Sequence, residues 1–203
     1  MRRIGRENLR KRLAPLEGAP GRTSYVDGAV RIETETEQLV VRPPFGLRHA
    51  GEYERVHVEP LLAELAEDHV VAALLVRRGG YAIGVLDGGT LAASKVGSRF
   101  VKGRHRKGGS SSNRFRRRRE EQTHALVEEA ARVAVAVLQP WRERIEFVAL
   151  GGDRALAETT AAAHDELAWL RERTLERFFA VPDPRLRVLE TLPYELYSAE
   201  LDG

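Results

Sequence analysis

With 203 residues the chain is long enough for one ordinary domain, or a main domain with an appendage, that buries most of its apolar surface. It contains no cysteine, which excludes disulfides, thiolate nucleophiles and cysteine zinc sites and predicts a cytoplasmic protein. No run nears the roughly 18 apolar residues of a membrane span and the charged start lacks an apolar leader core, so no membrane partner is expected. The formal net charge of +3 hides a polarised molecule: Lys102 to Arg119 holds nine Lys/Arg and no acid, leaving 24 basic residues against 30 acids elsewhere, a net of −6.

The first twelve residues carry Arg2, Arg3, Arg6, Arg10, Lys11 and Arg12, with Leu9, Leu13 and Leu16 at helical spacing, which predicts a short amphipathic helix. Gly18, Pro20 and Gly21 end it, and Thr23 to Val26 and Ala29 to Thr34 read as a hairpin around the two-residue turn Asp27-Gly28. Gln38 to Arg42 adds a strand; Pro43-Pro44-Phe45-Gly46 and Gly51 punctuate a loop. The boundary is set there, giving an N-terminal helix-and-hairpin segment over 1–54 and a main domain over 55–203.

In the main domain, Pro60 to Glu67 reads as a short helix, and the continuous apolar run Val70 to Val76 as a buried central strand. Tyr81 to Leu86 and Thr90 to Val101 follow across two glycine turns, making a meander. Phe115, Leu126, Ala130, Val133 and Val137 then recur near helical spacing, so a long helix is expected from about Asn113 to Leu138, with Ser112 or Asn113 as N-cap. Ile145 to Leu150 reads as a buried strand, Asp153 to Phe179 as largely helical and Arg187 to Leu192 as a last strand. The order βββ-arm-α-β-α-β describes an α/β fold with a mixed sheet.

The arm between the third strand and the long helix carries the function. Phosphates attract its basic flanks while the Gly-Gly-Ser-Ser-Ser tip reaches further, so a polyanion, RNA first, is the expected partner. The candidate RNA-binding residues are Lys102, Arg104, His105, Arg106, Lys107, Arg114, Arg116, Arg117, Arg118 and Arg119. A plain solvated linker is the competing account. Against it, a loop this long inside a compact domain is usually functional. For the N-terminal basic cluster, a second RNA contact and a merely solvated helix face both stand.

Three further patterns lack the partners that their usual chemistry needs. Gly103 to Ser110 spells G-x-x-x-x-G-G-S, but Gly109 stands where a phosphate-binding loop needs its lysine. The six histidines (His49, His57, His69, His105, His124, His164) lack metal-ligand spacing, and Ser110, Ser111 and Ser112 have no evident base. No metal and no cofactor are assigned.

The tip Lys107-Gly108-Gly109-Ser110-Ser111 and the helix start Arg114-Phe115 resemble the catalytic domain of archaeal and eukaryotic class-1 peptide release factors. The nearer resemblance is to the bacterial branch of the Vms-like release-factor family, peptidyl-tRNA hydrolases linked to ribosome-associated quality control. It spans about Val56 to Leu192, roughly two thirds of the chain, and implies an RNase H-like α/β fold. It also implies as partners a ribosome or large ribosomal subunit bearing peptidyl-tRNA, with rRNA and tRNA contacts.

Under this resemblance Gly108, Gly109, Ser110 and Ser111 form the catalytic tip. The tip glutamine of release factors is absent, with Ser110 or Ser111 in its place. The backbone N–H after the two glycines, here that of Ser110, needs no particular side chain to stabilise an oxyanion. Gly108 and Gly109 allow the close approach that a Cβ would block, and the serine hydroxyls are candidates to position the water. No segment corresponds to a stop-codon-reading domain or a partner-binding C-terminal domain, so codon-independent hydrolysis is expected. Two alternatives stay open: a non-catalytic RNA- or ribosome-binding module using the same arm, and a nuclease acting at the tRNA 3′ end, which needs acids to hold a metal; the sequence shows no convincing set, although Glu120 and Glu121 lie next to the arm.

Overall fold

The computed structural model describes residues 2–98 and 112–203, with side chains of the long helix described from residue 116. The chain forms two units, one from 1–68 with 192–203 and one from 69–191. The sequence break near residue 54 falls inside the first unit, because the segment after it feeds that unit's core.

The first unit is an antiparallel sheet with helices. Its strands are β1 (Arg2–Gly5), β2 (Arg22–Val26), β3 (Ala29–Glu33), β4 (Gln38–Arg42), β5 (Gly51–Tyr53) and β10 (Ser198–Asp202), in the order β1-β10-β4-β3-β2-β5. The β2–β3 turn puts Asp27 at φ 53° and Gly28 at φ 67°, the pair of positive angles that lets a two-residue turn follow the twist of its strands. Burial alternates along β2 and β4, so Tyr25, Leu39 and Val41 face a core shared with Leu9 and Leu13 of α1 (Arg6–Leu13). Leu61 and Leu65 of α2 (Glu59–Ala66) complete that core with Ala199 and Leu201 of β10.

The second unit is built on a four-stranded mixed sheet ordered β8-β7-β6-β9. Its strands are β6 (Val70–Arg77), β7 (Gly80–Asp87), β8 (Thr90–Ser98) and β9 (Phe147–Gly152). β6 pairs antiparallel with β7 and parallel with β9, and it is buried on both faces, which is why it reads as an unbroken apolar run. The long helix α3 (Ser112–Leu138) places Leu126, Ala130, Ala134 and Leu138, each four residues on, in the core over one face. α4 (Arg154–Ala161) adds Leu156 and Ala157 to it, and Asp153 caps its N-terminus by accepting the Leu156 N–H at 3.3 Å.

Two expected elements differ. Helix does not run through 153–179: beyond α4 there are a short turn and α5 (Leu170–Arg173), and then the chain extends along the open side of β9. There Leu175 N donates to Val148 O and Phe179 N to Leu150 O, both at 2.9 Å. Strand-edge hydrogen bonds override local helix preference in this stretch. The expected last strand over 187–192 is part of helix α6 (Leu186–Leu196), with Leu189, Leu192 and Leu196 buried. The final strand is β10, which pairs with β1 and β4 in the first unit.

Candidate nucleic-acid interface

β8 ends at Ser98 and α3 begins at Ser112, so these two elements are the roots of the arm. Lys102, Arg104, His105, Arg106, Lys107, Gly108, Gly109, Ser110 and Ser111 lie outside the described residues; Arg114 lies in α3 with its side chain outside the description. Arg116, Arg117, Arg118 and Arg119 are described.

These four arginines occupy successive positions of a helix, so at 100° per residue they fan around its axis and present no single basic stripe. None of the residues from 116 to 125 is buried, and the first buried position among the described side chains of the helix is Leu126. These ten residues, about 15 Å of helix, thus carry cations on turns that serve no core. Arg116 lies 3.9 Å from Glu120 and Arg117 3.3 Å from Glu121, both as i,i+4 pairs, with the two arginines 66% and 84% exposed. Such exposed pairs are worth only about 0.3–0.5 kcal/mol, so a phosphate displaces them readily. Arg118 and Arg119 make no ion pair among the described residues.

The two roots are fastened to each other by residues that the sequence did not single out. Tyr81 of β7 sits opposite Gly97 of β8, and its hydroxyl donates to Glu129 Oε1 of α3 at 3.2 Å. A Cβ at Gly97 would come within 2.3 Å of the Tyr81 ring, so glycine is required for the ring to cross the strand and reach the helix. The only sequence trace of this clasp is a tyrosine just after the Gly79-Gly80 turn and a glycine late in the third strand. Its partner on the helix is 48 residues away.

The N-terminal basic cluster is otherwise occupied. Arg6 pairs with Asp68 at 2.8 Å, Arg12 with Glu37 at 2.8 Å, Arg3 with Glu195 at 3.6 Å and Arg10 with Glu7 at 3.4 Å. Four of its six cations therefore face acids of the same unit. The described histidines also have structural partners. His57 Nδ1 contacts Glu17 at 3.0 Å, His69 Nδ1 contacts Glu146 at 2.9 Å, and His164 lies 3.8 Å from both Glu128 and Glu166. Burial pushes the Glu17 carboxyl up, but the His57 bond and the Val58 and Glu59 amides outweigh it and hold the group below the ordinary carboxylate range. No cluster of three or more His, Asp or Glu with metal-holding geometry occurs among the described residues, and no described helix is long and apolar enough to cross a membrane.

Comparison with known proteins gives the arm its setting. The model of the Actinobacteria/chloroflexi VLRF1 release factor family matches residues 69–202. Peptide chain release factor subunit 1 of Archaeoglobus fulgidus is 28% identical over 133 residues, 63% of this chain and 32% of that protein, so the chain spans about a third of its relative's length. The crystal structure of an archaeal translation termination factor, aRF1, aligns at 15% identity over 96% of this chain and 73% of that one, with a TM-score of 0.46. A second structure, of an archaeal protein, aligns at 19% identity over 86% and 51%, with a TM-score of 0.41.

Proposed function

Because the chain belongs to the Actinobacteria/chloroflexi VLRF1 release factor family, we propose that it is a codon-independent peptidyl-tRNA hydrolase acting on stalled ribosomal complexes in the cytoplasm, in ribosome-associated quality control. The observation that carries the reading is the first part of α3: arginines on solvent-facing turns, with no buried residue among the described positions 116–125, beside a strand root clasped to the same helix by Tyr81 and Glu129.

In this reading the arm enters the peptidyl transferase centre of the ribosome or large subunit. Lys102, Arg104, His105, Arg106, Lys107, Arg114 and Arg116 to Arg119 contact rRNA and tRNA there, mostly through phosphates. Gly108 and Gly109 bring the backbone against the ester that joins peptide to tRNA. Water adds to the ester carbonyl carbon, and the Ser110 N–H stabilises the oxyanion that forms. The intermediate then expels the tRNA ribose oxygen, which takes up a proton, and the peptide leaves as a carboxylate. The hydroxyls of Ser110 and Ser111 orient the attacking water.

The test is peptide release from isolated large subunits carrying peptidyl-tRNA, with no stop codon present. The expected outcome is free peptide and a tRNA with its 3′ terminus intact. Binding without release makes the arm a non-catalytic RNA- and ribosome-binding module. A shortened tRNA makes the protein a nuclease, a role for which Glu120 and Glu121 would have to leave Arg116 and Arg117.

A further inference from the structure

In the second unit, a cleft of about 290 Å³ opens beside the strand root of the arm, lined by residues 78–80, 96–98 and 183–185. That volume is at the small end of ligand sites. Part of its lining is glycine backbone: a Cβ at Gly80 would come within 2.7 Å of Gly97 O, so that position leaves no room for a side chain. Its charged side chains are Arg78, Arg185 and Asp183. All three are exposed, and none makes an ion pair among the described residues.

That combination is selective. Two arginines beside glycine backbone suit an anion, and arginine recognises phosphate oxygens through its planar fork of donors. A free anion site, however, gains nothing from an acid. Asp183 is not there to neutralise the arginines either, since it pairs with neither. A carboxylate beside a phosphate site finds use where the ligand carries a hydroxyl donor next to its phosphate, and the ribose 2′-hydroxyl of RNA is such a donor. Location supports the same ligand: Ser98 lines the cleft, and Lys102, where the run of nine cations begins, is four positions further along the chain, a reach of at most about 14 Å.

We propose that this cleft is a ribonucleotide subsite, in which Arg78 and Arg185 hold one backbone phosphate and the Asp183 carboxylate accepts the 2′-hydroxyl of the same unit. The proposal rests on the reading of the arm as an RNA contact and extends that contact to the arm's root. It would make this face of the second unit distinguish RNA from DNA, which arm arginines binding phosphates alone do not do.

The experiment is equilibrium binding of the full chain to a labelled single-stranded RNA of about 12 nucleotides, and to its deoxy counterpart, across a salt series. R78A/R185A is expected to weaken RNA binding roughly tenfold and to reduce the salt slope by about 0.7, the share of one single-strand phosphate, while R78K/R185K keeps the slope. D183N is expected to lower RNA affinity several-fold and leave DNA affinity unchanged or raised. Unchanged RNA affinity and slope in R78A/R185A overturns the subsite, and so does a D183N variant whose RNA-to-DNA ratio equals that of the wild type. Peptide release measured in parallel separates the two readings. A wild type whose RNA binding responds to these changes but which releases no peptide overturns hydrolysis alone; a releasing wild type whose RNA binding ignores them overturns the subsite alone.

Discussion

Residues 2–12 and residues 114–119 are both dense in arginine, yet the fold treats them differently. In the first stretch Arg3, Arg6 and Arg12 meet Glu195, Asp68 and Glu37, acids that are 25 to 192 residues away along the chain. In the second, the pairs formed by Arg116 and Arg117 are with acids one turn on in the same helix. Local charge density is therefore a poor guide to what a polyanion can reach; what decides is whether the fold brings distant acids to the cluster. Most of the N-terminal cluster is paired within its own unit, whereas the described arginines of the helix start have only weak local pairs or no ion pair among the described residues.

The largest effect that would break the contrast lies at the tip. Gly109→Ala is expected to cut single-turnover peptide release by about a hundredfold or more, the typical loss for a misplaced oxyanion donor, with ribosome binding nearly unchanged. Ser110→Ala should be milder, and Ser110→Pro, which removes the N–H, should approach the glycine variant. If Ser110→Ala abolishes release as fully as Ser110→Pro, the hydroxyl and not the amide carries the chemistry.

Next in size is a pair of glycines, one in the strand root of the arm and one in the N-terminal stretch. Gly97→Ala forces a Cβ into the Tyr81 ring and is expected to cost about 1–3 kcal/mol, read as a lower midpoint in chemical denaturation. Gly5→Ala, whose new Cβ meets nothing within 4 Å, should change stability by less than about 0.5 kcal/mol. A Gly97→Ala protein as stable as the wild type would mean that the clasp at the arm's root does not hold.

Much of the framework was legible in the sequence because its signals are local. The Asp27-Gly28 turn, the β6 run and the four-residue spacing in α3 each depend on neighbours in the chain. What was missed depends on partners far away. β1 exists because Arg2 to Gly5 pair with Ser198 to Leu201, and the extended segment after α5 exists because β9 offers it an open edge. α6 was misread because Arg187 to Leu192 is too short to separate a strand from a helix. Pro193, which follows the expected strand, lies within the helix, where Leu189, Leu192 and Leu196 continue the helical spacing. At the site, the arm's charge was visible, whereas the Tyr81–Glu129 clasp and the grouping of Arg78, Asp183 and Arg185 arise only when separate turns come together.

A smaller effect follows from replacing Arg116 to Arg119 with Ser. RNA affinity is expected to fall about tenfold at moderate salt, with the salt slope flattened by up to about three, while the midpoint of unfolding moves little because these turns serve no core. Replacing Arg3, Arg6, Arg10 and Arg12 with Ser should do the reverse, leaving the slope nearly unchanged and lowering stability modestly through the lost pairs. Equal slope changes in the two quadruple variants would erase the distinction between the clusters.

The smallest effect is the most diagnostic of availability. If Glu120 and Glu121 compete with phosphates for Arg116 and Arg117, then E120Q/E121Q should raise RNA affinity about two- to fourfold, since each exposed i,i+4 pair holds its arginine by only about 0.3–0.5 kcal/mol. Losing negative charge anywhere near the arm also favours RNA, so the variant needs a control that removes charge without freeing an arginine. E128Q supplies it: Glu128 lies on the same helix, but its partners are His124 and His164. A gain in E120Q/E121Q that exceeds twice the E128Q gain, measured at two salt concentrations, assigns the excess to released arginines. Gains that simply scale with the charge removed would mean that the pairs do not restrain Arg116 and Arg117, and that the helix start attracts RNA through its overall field alone.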